Sequence, residues 1–344
     1  QTYNMSSSLQ AYIPNYTQTA APMALGILLA VVFAFIIFGG TRLISYMTSV
    51  IVPTMAGGYI LLTIILSIMN IGELPGIFAT IVTEAFDFSS VVGGFAGSMV
   101  VQGIKRGLFS NEAGMGSAPN AAASASVSHP VKQGLVQTFS VFIDTIIICS
   151  CSAVMIMFFV NDNVDLIAWG GATGEAALTN MTLVQAAMQN GFGAAGLHFM
   201  TLAIFFFAFS SLIGNYFYAE GNFKYITGSK PALYVFRILC CIVIFFGAQS
   251  NLTLAWNLAD IFMGIQATIN IIVILILGKW ALAALKDYEA QKAQGIDPVF
   301  VANVIPGLPQ TECWHVDASH LDDAVKDEKQ GNPIAETLLA DEDA

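Results

Sequence analysis

Seven runs of apolar residues, at about 20–39, 50–70, 88–104, 134–159, 193–218, 232–249 and 254–278, constrain this chain more than any other feature. A stretch such as LGILLAVVFAFIIF, residues 25–38, contains no charge and no alternation. A helix needs about 20 apolar residues to cross a bilayer. Strands of a membrane barrel would alternate apolar with polar, which these runs do not. The reading is an all-α polytopic membrane protein. Composition agrees: 10% of residues are charged and the mean hydropathy is +0.71, whereas a soluble domain carries about 25% charged residues.

The basic residues test the span count. Arg42 follows the first run, and Lys105, Arg106 and Lys132 lie between the third and fourth. Lys224 and Lys230 lie between the fifth and sixth runs with Arg237 in the first turns of the sixth, on the same side, and Lys279, Lys286, Lys292, Lys326 and Lys329 follow the seventh. With seven crossings, all 12 Lys and Arg fall on one side. The opposite loops (1–19, 71–87, 160–192 and 250–253) carry Glu73, Glu84, Asp87, Asp162, Asp165 and Glu175 instead. Short basic loops stay in the cytoplasm, so the C-terminus is expected inside and residue 1 at the outer side of a plasma membrane.

Two outer loops, ELPGIFATIVTEAF (73–86) and LTNMTLVQAAMQNG (178–191), are too short or too polar to span. Their spacing predicts helices lying on the surface or covering a vestibule. From Asp297 the chain turns acidic and loses periodicity, which predicts a solvated tail. The net charge of −11 arises mainly at ends and loops, and it suggests no nucleic-acid partner. Cys149, Cys151, Cys240 and Cys241 lie in apolar runs, with Cys313 outside them. They read as small buried hydrophobes, without the spacing of a zinc site or a disulfide framework.

Charges and glycines gather in GIKRGLFSNEAGMGSAPNAAASAS, residues 103–126, just where the third run should end. Upstream, Gly93 and Gly97 form a GxxxG that permits close helix approach. Gly103 and Gly107 each weaken a helix by about 1 kcal/mol relative to Ala. Either the helix stops near Gly103 with Lys105 and Arg106 as cytoplasmic anchors, or it breaks inside the membrane. A break would free backbone amides and carbonyls to hold an ion or a zwitterion. Ser117 is positioned to cap a following helix with Pro119 in its first turn. That helix, of small residues, is expected to stop at His129–Pro130 and to pack tightly.

Other polar residues stand inside the runs. Ser210 and Ser211 share a face with the carbonyl of Phe207, an oxygen set suited to a hard cation. The competing reading is a hydroxyl bonding back to its own helix. Asp144 and Asp260 are intramembrane carboxylates, for which a functional role is the default and a structural partner the alternative. His198 reads as structural, and Trp256 as an interfacial belt residue or a wall of the pathway. No phosphate loop, metalloprotease, nucleophile-elbow or kinase motif occurs, so an enzyme is not expected.

KRGLFSNEAGMGSAPNAAA closely resembles the signature region of the sodium:alanine (glycine) symporters, a family of the leucine-transporter-like fold. The likeness continues through PVKQGLVQTFSVFIDTIII, FFFAFSS and LAWNLADIFMG, covering residues 1 to about 285. It implies Na⁺-coupled uptake of alanine or glycine by an inverted-repeat helical bundle, with Na⁺ as coupling ion. Residues 1–87 would then hold the last helices of the first repeat, 88–278 the second five-helix repeat with its first helix broken, and 279–344 the tail. The resemblance implies a sodium site at Phe207 (carbonyl), Ser210 and Ser211, and places Gln1, Gln102, Gly103 and Trp256 near the substrate. Family members begin with further helices, including the first broken one. The chain is thus expected to be incomplete at its N-terminus, and residues 1–344 alone neither to bind Na⁺ tightly nor to transport. A proton-coupled carrier or ion channel using Asp144 or Asp260 is the alternative function.

Overall fold

The computed structural model describes residues 1–39, 41–85, 95–167, 178–309, 311 and 314. In chain order the helices are α1 (Thr2–Ser8), α2 (Ala21–Phe38), α3 (Thr41–Met69), α4 (Leu74–Ala85), α5 (Phe95–Asn111) and α6 (Ser117–Ala123). After these come α7 (Pro130–Phe142), α8 (Ser150–Asp162), α9 (Asn180–Ile226), α10 (Lys230–Gly247) and α11 (Leu252–Ala293). A π-helical segment, Ile143–Cys149, joins α7 to α8 without a break, and Asp144 lies in it.

Six helical stretches among the described residues are long and apolar enough to cross a membrane: Ala21–Phe38, Ser49–Met69, Pro130–Asp162, Asn180–Ile226, Lys230–Gly247 and Leu252–Ala293. Each matches an expected run, and the chain is a multi-pass membrane protein. An 18-residue helix such as α2 is about 27 Å long, close to the hydrocarbon thickness. Large apolar side chains remain on the outside: Phe35 is 76% exposed and Leu275 78%. Surfaces of that kind belong in lipid or against another apolar element, not in water.

The expected run at 88–104 is the exception. Residues 86–94, with Gly93 of the GxxxG, lie outside the described residues. From Phe95 onward the helix does not stop or break at Gly103; α5 winds through both Gly103 and Gly107 to Asn111. Two glycines weaken a helix by only about 2 kcal/mol, less than unpairing several backbone groups in an apolar setting. The interruption comes later. Glu112 (φ 54°), Gly114 (φ 77°) and Gly116 (φ 110°) take the left-handed conformation that ends helices.

Two outer-loop expectations take the predicted helical form. α4 occupies residues 74–85, and residues 180–192 form the first part of α9. Gly193, with φ 62° and ψ −150°, kinks α9 there, a conformation open essentially to glycine alone. The kink separates a helical segment that buries Gln185, Ala187 and Met188 from the apolar stretch beginning at Ala194.

The chain divides into two compact units, one of residues 1–107 and 144–261, the other of residues 108–143 and 262 onward. In the first unit, one apolar cluster joins Phe33, Ile36 and Ile37 of α2 to Met5, Ile213, Tyr216 and Ile244. Another joins Tyr59 and Leu66 of α3 to Met155, Phe158, Met188, Met200 and Ile204.

In the second unit, α6 ends at Ala123, six residues before the expected stop at His129. Pro130 begins α7 instead of ending α6, because a proline at the first helical position sacrifices no hydrogen bond. The presumed solvated tail is also corrected in part. α11 continues to Ala293, and Phe300, Ala302 and Ile305 are buried in a cluster with Ala284. Burial of these apolar side chains outweighs the ordering of a short segment. The acidic stretch from residue 315 lies outside the described residues.

Candidate functional site

Within the first unit, α5 and the start of α11 bring four predicted residues together. Trp256 and Asp260 are one helical turn apart and share a face. The Arg106 guanidinium donates to both Asp260 oxygens at 3.1 Å, and its central carbon lies 4.1 Å from the Trp256 ring centroid. Lys105 Nζ adds a third contact to Asp260 at 3.1 Å. A guanidinium can bind a carboxylate with its edge and an aromatic ring with its face at once. Asp260, 24% exposed, therefore has the structural partner that an intramembrane carboxylate requires.

The three sodium-site candidates sit on α9. Ser210 Oγ donates to the Phe207 carbonyl at 3.0 Å, the within-helix bond of the competing reading. That bond uses the hydroxyl proton and leaves lone pairs on both oxygens, so it does not preclude cation binding. Ser211 is exposed. The Phe207 ring packs edge-on against Tyr59 at 6.4 Å, fixing this turn of α9 against α3.

The helix interruption lies in the second unit. Asn111 Oδ1 accepts from the Ala113 amide at 2.9 Å, starting the turn that leaves α5. Ser117 is not the cap: Gly116 occupies that position, and the Ser117 hydroxyl donates instead to the Glu112 carboxylate. Asn270 Nδ2, on α11, donates to the Gly114 carbonyl at 2.9 Å. A Cβ at Gly116 would come within 3.2 Å of Asn270 and Gln266. The signature glycines thus serve both positive φ and close approach to α11.

The remaining predicted residues are dispersed. Gln1 is exposed, its carbonyl accepting from the Met5 amide at 3.1 Å. Gly103 faces open space, with nothing within 4 Å of an added Cβ. The Gln102 side chain lies outside the described residues. Asp144 lies 3.8 Å from Cys149 Sγ across the π-helical turn. His198 stacks on Tyr12 and meets its hydroxyl at 2.8 Å, a structural role as expected.

Two polar clusters escaped the sequence reading. In the first unit, Glu220 is only 6% exposed and receives Arg237 Nη2 at 2.9 Å, Lys224 Nζ at 2.6 Å and the Tyr216 hydroxyl. These basic residues read as membrane-side anchors, yet they also neutralise a buried carboxylate. The Glu220–Lys224 spacing of four offered a faint signal; Arg237 offered none.

In the second unit, fully buried His129 places Nε2 3.3 Å from Asp287 and accepts the Val131 amide on Nδ1 at 3.2 Å. That pairing assigns the proton to Nε2. Burial pushes the imidazole below its ordinary pKa, although Asp287 opposes the shift. Residues 297–300 fold over this pair: Lys132 Nζ meets Asp297 at 2.7 Å, Ser128 Oγ donates to the Pro298 carbonyl, and Gln291 exchanges two bonds with Val299.

A family model described as the sodium:alanine symporter family matches residues 1–302. The amino-acid carrier protein AlsT of Bacillus subtilis is 46% identical, over 85% of this chain and 60% of its own length. The probable sodium/glutamine symporter GlnT of the same organism is 42% identical, over 87% of this chain and 60% of its own. The sodium/alanine symporter AgcS of Methanococcus maripaludis is 38% identical, over 78% of this chain and 57% of its own. The chain thus spans about three fifths of the length of these relatives.

Proposed function

The chain belongs to the sodium:alanine symporter family, and from that premise we propose sodium-coupled symport of alanine or glycine across the plasma membrane by alternating access. The observation that carries this reading is the extent of the match, residues 1–302, which takes in all six membrane-length helices. In this scheme Na⁺ sits against the Phe207 carbonyl and the hydroxyls of Ser210 and Ser211, a hard oxygen set. Sodium binding favours the outward-facing form, and the amino acid follows. Its carboxylate takes amide donors and its ammonium takes backbone carbonyls. Gln1, Gln102, Gly103 and Trp256 are the proposed lining. The membrane potential contributes about 2.3 kcal/mol per charge per 100 mV, enough to drive accumulation.

The same proposal holds residues 1–87 as the end of a first repeat, 88–278 as a second and inverted repeat, and the C-terminus as cytoplasmic. The one-sided distribution of Lys and Arg supports the orientation. Radiolabelled alanine uptake by the natural gene product in proteoliposomes tests the function. Saturable uptake that collapses when the Na⁺ gradient is removed is expected. Uptake that follows a pH gradient and ignores Na⁺ would instead favour a proton-coupled carrier.

A further inference from the structure

The Arg106 guanidinium makes two kinds of contact with one face of α11. Nη1 and Nη2 donate to the two Asp260 oxygens at 3.1 Å each. The guanidinium carbon stands over the Trp256 ring, 4.1 Å from its centroid. Trp256 and Asp260 are one helical turn apart, about 6 Å along the axis, so one side chain of α5 bridges two successive turns of α11. The fork fixes where the guanidinium carbon lies, and that carbon in turn fixes the indole. Arg106 is 34% and Asp260 24% exposed, and partly buried charges are screened less than free surface ones.

Arg106 follows Gln102 by four residues and Gly103 by three, so the three positions share one face of α5. The space beside Gly103 is open, with no atom within 4 Å of an added Cβ. The bridge therefore ties the turn of α5 that carries Gln102 and Gly103 to the turn of α11 that carries Trp256, three of the four residues of the proposed lining. A guanidinium over one face of the indole leaves the ring its other face and its edge for a ligand. An ammonium is a compact charge without a plane, and cannot hold a ring by its face and a carboxylate by its edge together. Lys105 has the simpler place: its Nζ meets Asp260 Oδ2 at 3.1 Å from a side chain 49% exposed, adding charge to the carboxylate.

We propose that Arg106 is a positioning residue for the transported amino acid, setting the indole of Trp256 against the substrate while Asp260 holds the guanidinium in register. This rests on the reading of Trp256 as part of the substrate lining. Arg106 then controls affinity for the amino acid, and it does so through the ring and not by touching the substrate. A residue that positions a binding wall changes KM and leaves the maximal rate nearly as it was.

Alanine uptake by the natural gene product in proteoliposomes, at saturating Na⁺ and over a range of alanine concentrations, tests this in R106Q, R106K, W256L and the two Arg106 variants combined with W256L. Lys105 keeps a cation on Asp260 in R106Q, so that variant leaves no unpaired carboxylate. R106Q is expected to raise the alanine KM about tenfold with the maximal rate within about twofold, and R106K, which keeps the charge without the fork, to raise KM about threefold. W256L should raise KM at least as much as R106Q. Adding either Arg106 variant to W256L should change KM no further, because both substitutions then remove the same contact. An unaltered KM in R106Q, a loss of maximal rate in place of the KM effect, or a full further rise on adding R106Q to W256L overturns the proposal and leaves Trp256 in the lining. An unaltered KM in W256L removes Trp256 from the lining and overturns the proposal with it. If R106Q does not fold, R106K with and without W256L decides on the same terms.

Discussion

Arg106 and Asp260 meet through two parallel hydrogen bonds of 3.1 Å across 154 positions of sequence. Lysine at position 106 would keep the charge and lose the fork. Hydrogen bonds to charged groups contribute about 1.5–3 kcal/mol, and this pair is about one-third exposed on the arginine side, so R106K should fall at or below the lower end. A double-mutant cycle of R106L and D260L, read by thermal unfolding in detergent, should give a favourable coupling of about 1 kcal/mol. Additive effects would show that the fork contributes nothing.

The same contact bears on proton coupling. A carboxylate held by three cationic N–H contacts is poorly suited to passing a proton. D260N should therefore leave the pH dependence of uptake unchanged, whatever it does to rate. A pH profile that flattens in D260N would make Asp260 a relay after all.

Ser210 and Ser211 supply two of the three proposed sodium ligands. Replacing both by alanine should raise the Na⁺ concentration for half-maximal uptake by on the order of tenfold, the loss of about 1.4 kcal/mol of charge–dipole contact. Maximal uptake at saturating Na⁺ should change far less. An unaltered Na⁺ dependence would remove these hydroxyls from the site.

His129 makes the fold of residues 297–300 sensitive to acid. Its folded-state pKa lies below the ordinary value near 6.5 because burial disfavours the imidazolium. The unfolded segment then binds more protons in that interval, so the contribution is complete above about pH 6.5 and is lost as pH falls through the lowered value. The protection of amides 297–305, taken relative to their intrinsic exchange rate at each pH, should fall between pH 7 and pH 5. H129N keeps a good helix cap without titrating, and should flatten that dependence; an unchanged slope would remove His129 as its cause.

Gly193 has backbone angles that a Cβ disfavours. G193A should lower stability by about 1–3 kcal/mol, read as a lower unfolding temperature. A neutral result would mean that α9 straightens there without penalty.

How much of this could be read from residues alone differs sharply between elements. The run at residues 20–39 became α2 almost residue for residue, since a stretch with no polar side chain has one way to satisfy its backbone in an apolar medium. GLFSNEAGMGSAP announced both an interruption and a family. The position of that interruption was not legible: Gly103 permits a break, but Gly114 and Gly116 supply the positive φ that makes one. The residues after Asp297 looked solvated because their few apolar side chains show no period, yet Phe300 and Ile305 find burial beside Ala284.

Amino-acid order by itself determined the helices, their membrane-spanning character and the glycine-rich turn, because each depends on residues within a few positions of one another. Tertiary structure decided which charges are partners. It paired Arg106 with Asp260, Arg237 with Glu220 and His129 with Asp287. The physical reason is distance along the chain: a local pattern fixes which face a side chain occupies, while the group opposite that face is set only when separate helices pack.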